Sequence, residues 1–237
     1  MTAARQLPLD LGHRPALGAE DFLVADCNRA AVAWIDAWPR WPAPALAVHG
    51  PAGCGKTHLA HVWRARGDAI LLEAAALDGG EARALLGGAR ACALDFGAGS
   101  DGDQGAGVPA LSGRAAETLF HLYNLLAEIG GHLLLTARVP PARWRLGLPD
   151  LASRLGAAPA VAIDPPDDAL LAAVLVKLFA DRQLEPDRRV IGYLLARMER
   201  SFAAARALAA RIDRAALAAG TGPTLTLARA ALAERDG

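Results

Sequence analysis

The stretch Gly50-Pro51-Ala52-Gly53-Cys54-Gly55-Lys56-Thr57 decides how this sequence is read. It matches G-x-x-x-x-G-K-[ST] and lies between a short apolar run, ALAVHG (45–50), and the helical sequence KTHLAHVWRAR (56–66). That strand–loop–helix setting is the one the motif requires. Its glycines let backbone N–H groups turn around phosphate oxygens at the positive end of the following helix. Lys56 is then placed to reach the β- and γ-phosphates, and Thr57 to hold Mg²⁺. A chance glycine turn is the competing reading. Against it, only Lys56 and Lys177 are lysine among the 25 Lys and Arg residues. Biased codon usage explains the abundance of arginine, and a compact ammonium is kept where a phosphate cradle needs one.

Outward from this loop, strands are predicted over AILLEAA (69–75), ACALDF (91–96), HLLLTAR (132–138) and PAVAID (159–164). Helical spacing marks 27–38, a weak segment around 80–88, 114–130 and 148–155. The alternation predicts an α/β fold with a five-stranded parallel sheet and right-handed crossovers. After Pro165-Pro166 the pattern turns to helices alone, over 167–184, 186–198, 201–220 and 226–235. The expected organisation is an extended tail over 1–20, an α/β nucleotide-binding core over 21–164 and a helical lid over 165–237. Gly97 to Gly113, rich in Gly, Asp and Ala, reads as a mobile loop.

A P-loop protein also needs an acid at the end of a neighbouring strand to hold Mg²⁺ through water. Asp95 in ACALDFG is the candidate, with a strand-end turn residue as its plainer reading. Phe96 follows, where many ATPases place a glutamate that activates water. This favours a protein that holds nucleotide better than it hydrolyses it.

Composition narrows the classes. With 25 basic and 25 acidic residues, a chain held to nucleic acid by a large basic surface is disfavoured. Although 53% of residues are hydrophobic, no apolar run reaches the length of a membrane span, and the N-terminus lacks the apolar segment of a signal peptide. Cys27, Cys54 and Cys92 lack metal-ligand spacing and read as reduced thiols of a cytoplasmic protein.

With these pieces placed, the chain resembles the AAA+ domain of the bacterial replication initiator DnaA from about residue 5 to 234. GCGKTHLAHVW (53–63) is similar to that family's P-loop, with His58 after Thr57. DFLVADCNRAAVAWI (21–35) resembles the segment that packs on adenine, which implies roles for Phe22, Leu23, Val24 and Asn28. LFHLYNLLAEIGGHLLLTARVPPARW (119–144) resembles the stretch through the first sensor and implies Thr136 near the phosphates. LGLPDLASRLGAA (146–158) resembles the segment bearing an arginine finger, which falls on Arg154. The competing role for Arg154 is an ion pair with Asp150, one helical turn earlier.

Two departures point to a shortened regulatory branch of that family. The sequence stops soon after TLTLARAALAER, where the initiator continues into a helix-turn-helix domain, and only a short connection separates the second and third strands. A third departure is that Ala203 occupies the place of the lid's sensing arginine. Arg206 lies nearly one turn later and reads as a solvated helix-face residue, with substitution for the missing arginine as the alternative.

The tail carries Gln6-Leu7-Pro8-Leu9-Asp10-Leu11. It is similar to the Q-L-x-L-x-L/F peptide with which such regulators and DNA polymerases dock on the β sliding clamp. A short extended peptide with proline-set geometry gives up little entropy on binding, and its leucines fill an apolar pocket. The alternative is a tail that folds back on its own domain. The resemblance implies ADP or ATP with Mg²⁺ held by Thr57 and Asp95. It implies as partners DnaA and the β sliding clamp of DNA polymerase III, with DNA reached mainly through the clamp. Rival readings are a self-contained P-loop ATPase or small-molecule kinase, and an initiator or helicase loader that grips DNA directly.

Overall fold

The structure, a computed structural model, describes residues 23–97 and 109–234. The clamp-type peptide Gln6–Leu11, Phe22 and most of the glycine-rich stretch therefore lie outside the described residues.

Five strands form one parallel sheet: β1 (Ala45–His49), β2 (Ile70–Glu73), β3 (Ala91–Asp95), β4 (His132–Ala137) and β5 (Ala160–Ala162). Their order is β2-β3-β4-β1-β5. Strands buried on both faces read as continuous apolar runs rather than alternating ones, and β1 illustrates why. Ala45 and Ala47 enter the core on one face, whereas Leu46 and Val48 enter the core on the other.

Helices α1 (Arg29–Ala37) and α2 (Lys56–Gly67) cover one face through Ala31, Ile35, Leu59 and Trp63. The other face is covered by α3 (Ala76–Gly79), α4 (Ala82–Leu86), α5 (Gly113–Glu128) and α6 (Pro149–Ala157). The weak helix expected near 80–88 is the short α4, and α3 before it, separated by extended backbone at Gly80-Glu81, was not expected. A third apolar cluster belongs to α7 (Asp168–Ala180), α8 (Arg188–Leu195), α9 (Phe202–Ala219) and α10 (Leu225–Ala233), built on Leu171, Leu175, Phe179 and Leu208. Three of the long helices begin at a side-chain cap. Ser112 accepts from Ala115 N at 3.0 Å, Asp167 from Leu170 N at 2.7 Å and Ser201 from Ala204 N at 3.1 Å. Each satisfies an amide that the helix itself cannot. Among the described residues no helix is long and apolar enough to cross a membrane.

An aromatic cluster closes the α1–α2 side of the sheet. Trp41 stacks on Trp63 with ring centroids 5.4 Å apart, and Trp38 meets Trp63 edge-on at 5.8 Å. Trp63 is fully buried, so Trp63→Ala is expected to lower the unfolding free energy by about 3–5 kcal/mol. Leu217, 84% exposed, should tolerate serine within about 0.5 kcal/mol. Urea denaturation of the two variants checks both values, and equal losses would contradict this packing.

Candidate functional site

Beyond β1 the chain turns through Gly50–Gly55 into α2. A Cβ on Gly50 would stand 2.2 Å from the carbonyl oxygen of Ile163, and one on Gly53, at φ +68°, would stand 2.7 Å from the Ser201 Cβ. Bare backbone is therefore required where the loop passes between the end of β5 and the start of α9. The amide of Phe202 donates to the Gly53 carbonyl at 2.9 Å, which seats α9 directly on the loop.

Lys56 opens α2 and is only 6% exposed. Its Nζ donates to the carbonyls of Gly50 at 2.9 Å and Pro51 at 2.7 Å, with the Cys54 Sγ 3.8 Å away. Burial lowers its pKa from the ordinary lysine value, opposed by the nearby Cys54 and Asp95. A phosphate oxygen would offer this ammonium a charged acceptor in place of neutral carbonyls. Burial likewise raises the Cys54 thiol, with Lys56 opposing.

Asp95 ends β3 and is 2% exposed, so its oxygens must find donors inside the protein. The Thr57 hydroxyl donates to Oδ2 at 2.7 Å, whereas the Thr136 hydroxyl and the Gly97 amide each donate to Oδ1 at 2.7 Å. A threonine oxygen beside a carboxylate at the mouth of the loop is a hard-oxygen pair that suits Mg²⁺ bound jointly with phosphates. The residues present thus fit both a phosphate and its metal. Phe96 turns its ring onto Trp144, with centroids 4.7 Å apart, so the position after Asp95 offers packing and no base.

Lys56, Thr57, His58, Arg138 and Arg206 line the space in front of the loop. A neighbouring cleft, open to solvent, is lined by Leu23, Asn28, Val174, Leu178 and Phe202 among others. Gly55, His58 and Arg206 border both spaces. Their combined shape suits phosphates on one side and a flat apolar group on the other.

The structure brings together most of the residues singled out in the sequence, with particular adjustments. Ala52, Gly53 and Gly55 line the phosphate side, whereas Pro51 contributes its carbonyl to Lys56 and Cys54 is buried beneath the loop. Asn28 lines the cleft and also builds the segment beside it. Its Oδ1 accepts from Ala25 N at 2.9 Å and its Nδ2 donates to Leu23 O at 2.9 Å. Val24 packs against the α1–α2 core instead of lining the cleft. Thr136 is fully buried, and its hydroxyl acts on Asp95. Arg206 is exposed, as the helix-face reading expects, and it also borders the phosphate space and the cleft.

Arg138 and the lid residues Val174, Leu178 and Phe202 were missed. The signal for Arg138 was its place just past the end of β4. The lid residues offered none, because their apolar spacing equally serves the core of the lid.

Arg154 stands apart. It is exposed on α6, its guanidinium lies 5.4 Å from the Phe120 ring centroid and 5.7 Å from that of Tyr123, and it lines neither space. It makes no ion pair with Asp150 among the described residues.

The arrangement predicts that ADP raises the melting temperature, since a ligand held only by the folded state stabilises it by mass action. Lys56→Ala should melt close to the parent without nucleotide and lose the response to it. A thermal scan in which ADP leaves the parent unmoved would contradict the site.

No family model matches the chain. Among solved structures, domain III of the replication initiation protein DnaA from Thermotoga maritima is similar over 90% of this chain and 94% of that one, at 17% identity and TM-score 0.73. AMPPCP-bound DnaA from Aquifex aeolicus is similar over 76% of this chain and 59% of that longer one, at 20% identity and TM-score 0.59. The FIGL-1 AAA domain in complex with ADP is similar over 80% and 71%, at 16% identity and TM-score 0.58. At these identities the likeness is one of fold, and the fold is the AAA+ P-loop core carrying a small helical lid.

Proposed function

We propose that this chain is a nucleotide-bound adaptor of bacterial DNA replication, of the type represented by Hda. In this reading ADP or ATP with Mg²⁺ occupies the space between the P-loop and the lid. The Gln6–Leu11 peptide docks on the DNA-loaded β sliding clamp, and Arg154 completes the ATP site of a neighbouring DnaA molecule. DnaA then hydrolyses its ATP and ceases to initiate. Support for nucleotide comes from the buried Lys56, the Thr57–Asp95 pair and the similarity to proteins solved with AMPPCP and ADP. Fold alone does not assign function, so the proposal rests on Arg154.

That arginine is the observation that carries the reading. It is exposed, braced by two aromatic rings and outside the chain's own phosphate space. A guanidinium so placed is available to a second molecule. It remains charged and can donate two parallel hydrogen bonds to phosphate oxygens. Supplying such a group in trans accelerates hydrolysis by roughly 10³–10⁵ in P-loop systems. A self-contained ATPase is less well supported, because Phe96 packs against Trp144 where a water-orienting carboxylate would stand.

The test is a DnaA–ATP hydrolysis assay with DNA-loaded clamp. Arg154→Ala should keep its melting temperature, its ADP and its clamp binding while losing the stimulation. Lysine at this position should rescue poorly, since a point charge cannot reproduce the fork. Full stimulation by the alanine variant would refute the trans role. In the same assay, replacing Gln6, Leu7 and Leu9 with alanine should abolish clamp binding and leave thermal stability almost unchanged. Clamp binding that survives these replacements would remove the tether.

A further inference from the structure

The lid carries a basic face that the nucleotide site does not use. On α8 and the turn after it, Val190, Leu194 and Met198 are buried in the lid, whereas Arg189, Gly192, Ala196 and Arg197 are exposed on the other side. Residues four apart share a helix face, so Arg189, Tyr193 and Arg197 form one column. The helical turn continues far enough to include Arg197, because the Met198 amide donates to the Leu194 carbonyl at 2.8 Å. Arg188 stands beside the start of the column, and α10 adds the exposed Arg229 from the neighbouring helix.

Tyr193, half-buried, gathers two of these charges. The Arg197 guanidinium lies 4.1 Å from its ring centroid, and that of Arg229 lies 5.7 Å away. An aromatic face attracts a cation, so both heads are held in place by a group that does not neutralise them. Other arginines are treated differently. Arg29, Arg66, Arg182 and Arg200 each pair with an aspartate. Among the described residues Arg188, Arg189, Arg197 and Arg229 have no ion pair. Asp187, at the start of the column, serves as the helix cap, its Oδ1 accepting from the Arg189 amide at 2.9 Å.

We propose that this face of α8 and α10 docks on the phosphate backbone of duplex nucleic acid. A protein partner would need an apolar anchor at the centre of the patch. The column offers none, because Gly192 and Ala196 beside it carry little side chain and Arg197 covers the Tyr193 ring. The same cover keeps that ring from stacking on an unpaired base, as a single-strand site requires. What remains is a flat set of four cations, each able to donate two parallel hydrogen bonds to a phosphate. Such contacts position a protein on the backbone without reading sequence. With a formal net charge of zero over the chain, the attraction is local and modest. The inference rests on the adaptor reading only for proximity: a clamp that holds the chain beside duplex lets a weak second contact act at high effective concentration.

Fluorescence anisotropy of the full chain with a short labelled duplex, without clamp or DnaA, tests this. The parent should bind at low salt with a log–log salt slope of about −2 to −4, the value for roughly two to four neutralised phosphates. Arg197→Ala combined with Arg229→Ala should weaken binding about tenfold or more and flatten the slope by about 2. Arg29→Ala combined with Arg66→Ala removes the same charge from α1 and α2 and should bind as the parent does. Circular-dichroism melts establish that the variants fold. Should the pair on Tyr193 be needed for folding, Arg188→Ala combined with Arg189→Ala removes exposed charges that hold no ring and should show the same kind of loss. A parent that does not bind duplex at low salt overturns the inference, as do arginine variants that stay within about twofold of the parent. A preference for single strands, polyglutamate or anionic vesicles over duplex overturns it as well. Because clamp and DnaA are absent, failure here leaves the tests of Arg154 and of the clamp peptide standing, and their failure leaves this result standing.

Discussion

Two missing Cβ atoms hold this molecule together at its working end. At Gly50 the loop backbone lies against the Ile163 carbonyl, and at Gly53 it lies against Ser201. Any side chain at either point would push away the strand end or the lid. Because nothing intervenes, the Phe202 amide can reach the Gly53 carbonyl, and α9 begins on the loop itself. The position of the lid, the lining of the cleft and the reach of Arg206 all follow from that close approach.

The sheet supplies the second requirement. Thr136 on β4 is in register with Val48 on β1 and with Asp95 on β3. This places the Thr136 hydroxyl beside the Asp95 carboxylate, which in turn receives the Thr57 hydroxyl from the start of α2. A buried carboxylate is costly unless fully hydrogen-bonded, and here donors from α2, from β4 and from the turn after β3 meet that demand. The same network holds Thr57 and Asp95 side by side, where they would suit a metal shared with phosphate. Lys56 completes the arrangement as a buried ammonium whose close acceptors among the described residues are two neutral carbonyl oxygens and a thiol. A polyphosphate answers that imbalance.

The local parts of this site were legible in the sequence. The P-loop is a contiguous motif, and Asp95 stands at the end of an apolar run short enough to be a strand. The central strands β1, β3 and β4 stood out because both faces are buried, which leaves uninterrupted apolar residues. The long helices were marked by their period, whereas the four-residue α3, ending at the glycines at 79 and 80, is too short to show one. What escaped was every contribution made across the fold. Arg206 is solvated as its helix period indicates, but the period could not show that it also borders the two spaces beside the loop. Arg138 carried no motif, and the cleft-lining faces of α7 and α9 are indistinguishable in sequence from faces that pack inside the lid. Thr136 was placed near the phosphates by resemblance, but only the register of β4 shows that its hydroxyl is spent on Asp95.

The central claim is that core and lid hold a nucleotide jointly. Hydrogen exchange of the full chain with and without MgADP addresses it most directly, because it reports the opening of each segment separately. The account predicts slower exchange on ADP addition in the loop and first turn of α2, residues 53–58. It predicts the same in the cleft-facing parts of α7 and α9, residues 174–181 and 202–206, with α8 and α10 little changed. Protection confined to the loop, with α7 and α9 exchanging as they do without nucleotide, would contradict it.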